Sequence, residues 1–397
     1  MTTVEEPPLL RSEGSVVGTL SPMMRRMRER GAVVKVRTRT GDEAWLVTRL
    51  AELKELLKDR RIGRSHPDPD NRPRYLDTPL LDQLVRSDDP EVAHDIHVRT
   101  RAALTPHFSA KRMGDLSERI AQHVRDHLDR ITADEPPADL HAELSLPLSF
   151  QVLCDLMGIA DQATFMAMLA GAGRLDETEK IAVGAQELFA YLRELVAAKR
   201  ADPGDDLISA LCEAELDDGA VSELISTVSF SYLVTPSNLS AGIALFASHP
   251  RQRERVVADP SLLDTAVEEV LRLGKVDESF QPRYASADID IAGVTIKAGD
   301  LVLCDHYAPS FDDRVFTDPE TFDVGRSPNP HLAFSHGLSH CIGAPLARIE
   351  LREVYAQLLQ RMPELRLAVP LKQVGMPAGA GGEEQIGNGI ARLPVVW

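Results

Sequence analysis

"FSHGLSHCIGAPLARIEL" runs from Phe334 to Leu351 and carries Cys341, one of only four cysteines in 397 residues. Cys341 lies between Gly337 and Gly343, residues that let a backbone turn tightly or approach a group closely. The "APLARIELREVYAQLLQRM" that follows is spaced as a helix, with Pro345 in its first turn, where its missing N–H is no loss. A sulfur just ahead of a helix start sees the positive end of the dipole and unpaired N–H groups, which favour the thiolate. Thiolates at such places are nucleophiles or metal ligands, and no base for a nucleophile can be assigned from the sequence. From the loop alone, a buried structural cysteine is an equal alternative.

Composition narrows the field. A net charge of -17 disfavours nucleic acid as a partner. No apolar run reaches the length of a membrane span, so none is expected. The acidic start "MTTVEEPPLL" lacks the basic and apolar regions of a signal peptide. The expectation is a cytoplasmic protein. Cys154, Cys212 and Cys304 are scattered in apolar runs without a CxxC pair, which argues against a disulfide framework or a zinc site and reads them as inert core residues. With no linker to cut at, residues 1–397 read as one large domain, with 1–14 flexible.

Helical periodicity dominates. "RMGDLSERIAQHVRDHLDRI" sets Met113, Leu116, Ile120, Val124, Leu128 and Ile131 at spacings of three and four, an amphipathic helix. "GAQELFAYLRELVAAKR" predicts another, and "DPSLLDTAVEEVLRL" opens one at Asp259-Pro260. "AVVKVRTRTGDEAWLVT" alternates around Thr40-Gly41-Asp42 and predicts a hairpin. "DIDIAGVTIKAGDLVLCD" alternates with turns at Gly293 and Gly299, and "IARLPVVW" predicts an edge strand. "PAGAGGEEQIGNG" (377 to 389) reads as a turn rather than a phosphate cradle, since no strand precedes it and no helix follows. The fold class is mainly α with small β-sheets (α+β).

The wider pattern breaks the tie over Cys341. "FSHGLSHCIGAPLARIEL" resembles the haem-binding loop of cytochrome P-450, F-G-x-G-x-H/R-x-C-x-G, through Phe334, Gly337, Cys341 and Gly343. "EEVLR" supplies Glu269 and Arg272, similar to the family's E-x-x-R pair, which share a helix face at i and i+3. "HVRTRAALTPHF" places His97 and Arg101 one turn apart, and "FTDPETFDVGRSPNPHLAFSHG" looks like the family's meander. "PGDDLISAL" and "QPRYASADIDIAGVTIKAGD" are similar to stretches of bacterial members. The motifs fall in the family's order and extend over roughly residues 15 to 397.

That resemblance implies a helical prism with haem b between a long distal helix, the I helix, and the cysteine loop. Cys341 is then the axial iron ligand, and thiolate donation favours O–O cleavage. It implies haem propionates held by His97, Arg101 and Arg283, a loop shaped by Phe334, Gly337 and Gly343, and a structural brace of Glu269 and Arg272 completed by His331 or Arg326. Electrons are expected from a ferredoxin and its reductase. A basic patch of Arg99, Lys111, Arg112, Arg348 and Arg352 is a candidate docking face, and a solvated face explains it equally well.

Two departures stand out. The residue two before the cysteine, His or Arg in the family, is Ser339, with His340 beside it, so no propionate role passes to Ser339. The I helix, A/G-G-x-D/E-T in the family, reads here as "TVSFSYLVTPSNLSAGIALFASHP". Counted back from His249-Pro250, the acid and alcohol positions hold Leu233 and Val234, or, with one gap, Val234 and Thr235. The acid is lost either way, Thr235 is the candidate proton relay, and Pro236 imposes the kink. Phe230, Val276 and Phe280 are candidate substrate-pocket residues.

The expectation is a monomeric bacterial haem-thiolate monooxygenase. It would hydroxylate, epoxidise or otherwise oxidise a small molecule, free or carrier-protein-tethered, in specialised metabolism. The alternatives are rearrangement, coupling or peroxide-driven chemistry, and a haem-binding module without turnover.

Overall fold

The computed structural model describes residues 6–11, 16–76, 88–172, 178–214, 216–230, 232, 234–274, 280–374 and 390–397. Leu233, Val276, the side chain of Phe230 and the glycine-rich stretch 377–389 lie outside the described residues. The chain forms two compact units. The first gathers Met1–Arg99, Asp277–Thr321 and Asn329–Cys341; the second takes Thr100–Val276, Phe322–Pro328 and Ile342–Trp397.

The first unit is built on a sheet. Helix α1 (Pro22–Arg30) precedes the expected hairpin of β1 (Val33–Arg37) and β2 (Glu43–Val47), which pair antiparallel from Val33↔Val47 to Arg37↔Glu43. Gly41 turns the hairpin at φ 93, a left-handed conformation that suits glycine. Helix α2 (Leu50–Leu56) and the short strand β3 (Ile62–Gly63) follow. Helix α3 (Pro90–Leu104) comes next, its residues up to Arg99 belonging to this unit. Here the order β1–β2–β8–β5–β3 joins distant segments, because β8 (Leu301–Cys304) pairs parallel with β2 and antiparallel with β5 (Gln281–Ala285). Strand β8 is buried at all four positions, as its unbroken apolar run requires. Strands β6 (Ile289–Ile291) and β7 (Val294–Ile296) form a separate hairpin turned by Ala292 and Gly293 at φ 48 and 80.

The second unit is helical. Helix α4 (Ala110–Ala133) buries Met113, Ile120, Val124, Leu128 and Ile131 on one face, the stripe its spacing predicts. A π-helical turn at His141–Ser145 leads into α5 (Leu146–Met157), then α6 (Gln162–Ala172), α7 (Thr178–Ala201) and α8 (Leu207–Glu213). Two helices, α9 (Asp218–Phe230) and α10 (Thr235–Ser248), precede α11 (Pro250–Ala258) and α12 (Leu263–Leu273). Helix α13 (Ala344–Arg361) packs along α4. The final strand corrects the sequence expectation: β10 (Pro394–Val396) is not an edge. It pairs on one side with β4 (Ala138–Asp139) and on the other with β9 (Arg366–Leu367). Pro394 is tolerated there because it is the strand's first residue.

Candidate functional site

Cys341 is exposed while Cys154, Cys212 and Cys304 are buried. Burial pushes the Cys154 thiol up to about 12 and the Cys304 thiol up to about 11, and raises that of Cys212. These three therefore stay protonated and unreactive at neutral pH.

The Cys341 loop is folded on itself. The Ser335 N–H donates to the Leu332 carbonyl and the Cys341 N–H to the Phe334 carbonyl, both at 2.8 Å. Between them Gly337–Ser339 make one 3-10 turn. Gly337 has φ 60, and a Cβ there would come within 3.0 Å of the Leu57 carbonyl oxygen, so conformation and space both demand glycine. Ser335 also sits in the left-handed region, at φ 63, which an L side chain enters at a cost of about 1–2 kcal/mol. It occupies the position of the first glycine in F-G-x-G; the residue has changed and the backbone conformation is still left-handed. Gly343, at φ -75, is the N-cap of α13 in a conformation open to any residue.

Two of the sequence-predicted anion-binding residues share this unit. His97, on α3, places Nε2 2.8 Å from the Leu338 carbonyl, tying α3 to the cysteine loop. Arg101 follows one turn later on the same helix. Arg283, on β5, is 4 % exposed. Its guanidinium donates to the Pro282 carbonyl at 2.8 Å and to Gln281 Oε1 at 2.9 Å. No carboxylate pairs with it among the described residues, and burial lowers its pKa. A buried guanidinium with only neutral partners keeps its charge available to an anion.

In the second unit Glu269 and Arg272, both fully buried, make a bidentate pair with two contacts of 2.7 Å. Glu269 Oε1 also accepts from Arg326 Nε and from the Asp323 N–H, each at 3.1 Å. Arg326, one of the two residues expected to complete this brace, reaches Glu269. His331 Nδ1 accepts from the Ala333 N–H at 3.2 Å.

The distal segment is interrupted rather than merely kinked. Helix α9 stops at Phe230 and α10 restarts at Thr235, with Val234 as N-cap and Pro236 in the first turn. Pro236 thus occupies a position where no backbone donor is needed. Val234 is 55 % exposed, and its carbonyl accepts from both the N–H and the Nδ2 of Asn238. Thr235, half-buried, opens α10. Phe280 is buried against Tyr75, ring edge to ring face at 5.4 Å, so it packs in the core of the first unit.

The proposed basic patch is largely paired. Arg348 is held by Glu268 at 2.6 Å, Arg352 by Asp264 at 3.0 Å, and Arg112 faces Asp205 at 3.5 Å. Two lysines lie by the cysteine loop instead. The His336 imidazole has its pKa lowered by burial, then by Lys58, Lys54 and His340. Sequence reading missed this set because Lys54 and Lys58 are distant in the chain and reach the loop only through the packing of Leu57 on Gly337.

A family model for Cytochrome P450 matches residues 247–367. Pentalenolactone synthase of Streptomyces exfoliatus is 36% identical over 99% of this chain and 100% of its own. Mycinamicin IV hydroxylase/epoxidase of Micromonospora griseorubida is 34% identical over 96% of each. The structure of substrate-free PimD, a polyene macrolide antibiotic pimaricin epoxidase, superimposes with a TM-score of 0.91 at 44% identity, covering 99% of this chain and 100% of that one. The ordered motifs, the exposed cysteine in its glycine-bounded loop and these full-length likenesses place the chain in the cytochrome P450 family.

Proposed function

We propose that this P450 monooxygenase epoxidises or hydroxylates a macrolide-sized substrate in an antibiotic pathway, taking electrons from a ferredoxin. Supporting that reading of the substrate is the 44% identity with the pimaricin epoxidase, held over nearly the whole chain. A likeness to the mycinamicin hydroxylase/epoxidase points the same way.

The family implies a haem-iron cofactor, and the residues present fit one. The observation that carries the fit is the exposed thiol of Cys341 in the same unit as the acid-free guanidinium of Arg283. Cys341 would ligate the iron, while Arg283, His97 and Arg101 would hold the carboxylates of haem b. When bound, the haem supplies oxygen activation, which thiolate ligation favours. The protein's own part is positional. Gly337 lets the loop lie against Leu57, and the His97 bond to Leu338 fixes the loop on α3. Val234 has no proton to relay, so Thr235 and solvent take that role.

A ferredoxin carries acidic groups, and Lys54 and Lys58 offer the matching charge beside the cysteine loop. A second reading, peroxide-driven or rearrangement chemistry, is favoured by the interrupted distal helix and its missing acid.

The test has two arms. Reduced-CO difference spectra should show thiolate-ligated haem in the wild type and not in Cys341→Ser; retention of that band in the variant ends the cofactor assignment. Turnover of macrolide olefins with a surrogate ferredoxin and reductase should add one oxygen atom. Products formed only with peroxide, or without added oxygen, would favour the second reading. Haem binding without any product would favour a module without turnover.

A further inference from the structure

Glu350 and Ser149 meet inside the second unit, and each leaves a buried oxygen without a hydrogen-bond partner. Glu350 lies on α13 and Ser149 on α5, and both are 4 % exposed. Glu350 Oε2 and Ser149 Oγ make no hydrogen bond to any described residue. The Ser149 hydroxyl can give one hydrogen bond to an ionised carboxylate, but one neutral donor does not replace the hydration that a buried charge loses. A protonated carboxyl carries no such charge and brings a second donor to the pair.

Among the described residues, no ion pair brings a countercharge to Glu350. On α13 itself, Arg348 is held by Glu268, Arg352 by Asp264 and Glu353, and Arg361 by Asp129 of α4. On α12, Glu269 and Arg272 are committed to each other. On α11, Arg253 donates to the Leu365 and Phe246 carbonyls. Helix α10 carries no ionisable side chain. On α4, His127 bonds Gln151 and the Glu143 carbonyl and meets Arg130. In the turn before α5, His141 bonds Ser240, which bonds Ser145; burial lowers the pKa of this imidazole and keeps it neutral.

We propose that Glu350 is protonated in the folded protein and donates to Ser149, so that the α5–α13 contact is a proton-dependent latch. Burial, opposed only by the Ser149 hydroxyl, raises the Glu350 carboxyl from 4.5 to about 8. Because the folded state holds this proton more tightly than the unfolded chain, its contribution is complete below about pH 4.5. It drains as pH rises, and is gone above about pH 8. Above that point the latch holds a buried, uncompensated charge.

The experiment compares the thermal midpoints of the holoprotein, wild type and Glu350→Gln, between about pH 5 and pH 9. The glutamine keeps a donor for Ser149 and cannot titrate. The wild-type midpoint should fall relative to the variant through that window and then run parallel to it. Parallel profiles across the whole range would overturn the proposal. Should Glu350→Gln fail to fold, wild-type protein labelled with carbon-13 glutamate decides the matter by infrared spectroscopy. A protonated-carboxyl carbonyl stretch should be present at neutral pH and vanish reversibly in alkali; no such band at neutral pH refutes the latch.

Discussion

The hydroxyl of Tyr355 lies where a side chain on Gly242 would begin. A Cβ at Gly242 would stand 2.0 Å from that oxygen and 2.8 Å from Val270 Cγ1. Tyr355, on α13, donates towards the Asn238 and Leu239 carbonyls at 3.2 and 3.3 Å, so the ring is anchored in the first turns of α10. Gly242→Ala is therefore an overpacking substitution, expected to lower stability by about 1–3 kcal/mol. Denaturant unfolding measures it, and an unchanged midpoint would mean that α10 can shift away from α13 freely.

The Glu269–Arg272 pair predicts a hierarchy. Removing the carboxylate in Glu269→Ala takes the bidentate partner from the fully buried guanidinium of Arg272, at a cost of about 3–5 kcal/mol. Arg326→Ala removes a 3.1 Å contact to Glu269 and should cost less, about 1–3 kcal/mol, the range for a charged hydrogen bond. Equal losses in the two variants would contradict this ordering.

Asp312 predicts an acid-sensitive element in the first unit. Burial alone would raise its pKa. Hydrogen bonds from Arg314, the Leu50 N–H and Arg49 outweigh that and bring it down to about 2. A carboxyl depressed in the folded state stabilises above its unfolded value near 3.8, and that contribution disappears as pH falls through about 2. Asp312→Asn should thus lose about 2 kcal/mol at neutral pH, with a shallower stability decline below about pH 4 than the wild type. Acid titration followed by circular dichroism would show it; identical slopes would rule it out.

Haem retention would separate the proposed propionate ligands from their neighbours. Arg283→Ala and Arg101→Ala should lower haem occupancy several-fold by removing charge-assisted hydrogen bonds. Arg99→Ala, on another face of α3, should not. Absorbance at the Soret band relative to protein gives the ratio. Equal occupancy in Arg101→Ala and Arg99→Ala would place the α3 register wrongly.

Thr235 carries the fifth prediction. As the alcohol that opens α10, it should govern coupling, and Thr235→Ala should divert electrons to peroxide by about 10-fold or more. Electron consumption against product formed measures this. Unchanged coupling would assign proton delivery to solvent and substrate alone.

The sequence carried the elements whose signals are local. The stripe from Met113 to Ile131 and the hairpin around Gly41 form where periodicity puts them, because burial of one face decides them. The Cys341 loop was legible through its glycines. Other features were set by tertiary contacts. Val395 becomes a central strand residue only when Leu367 and Ala138 flank it. Arg326 on Glu269, Tyr355 against Gly242, and Lys54 and Lys58 beside His336 depend on packing between distant segments. The break before Thr235 was announced by Pro236, but its form, two helices instead of one bent helix, follows from Pro236 fitting a first turn better than an interior.

The parallel pairing of β2 with β8 has a consequence for biosynthesis. Trp45 lies opposite Val302, and its indole N–H reaches Asp300, 255 residues further along the chain. Loop closure over such a distance must precede the reward of pairing. On the ribosome, the N-terminal hairpin emerges long before the strand that completes its sheet. The helical unit, whose residues from Thr100 to Val276 are contiguous, can begin to assemble first. Until β8 is made, β2 presents an open edge to other nascent chains, so expression yield should respond to translation rate and to chaperones that shield strand edges.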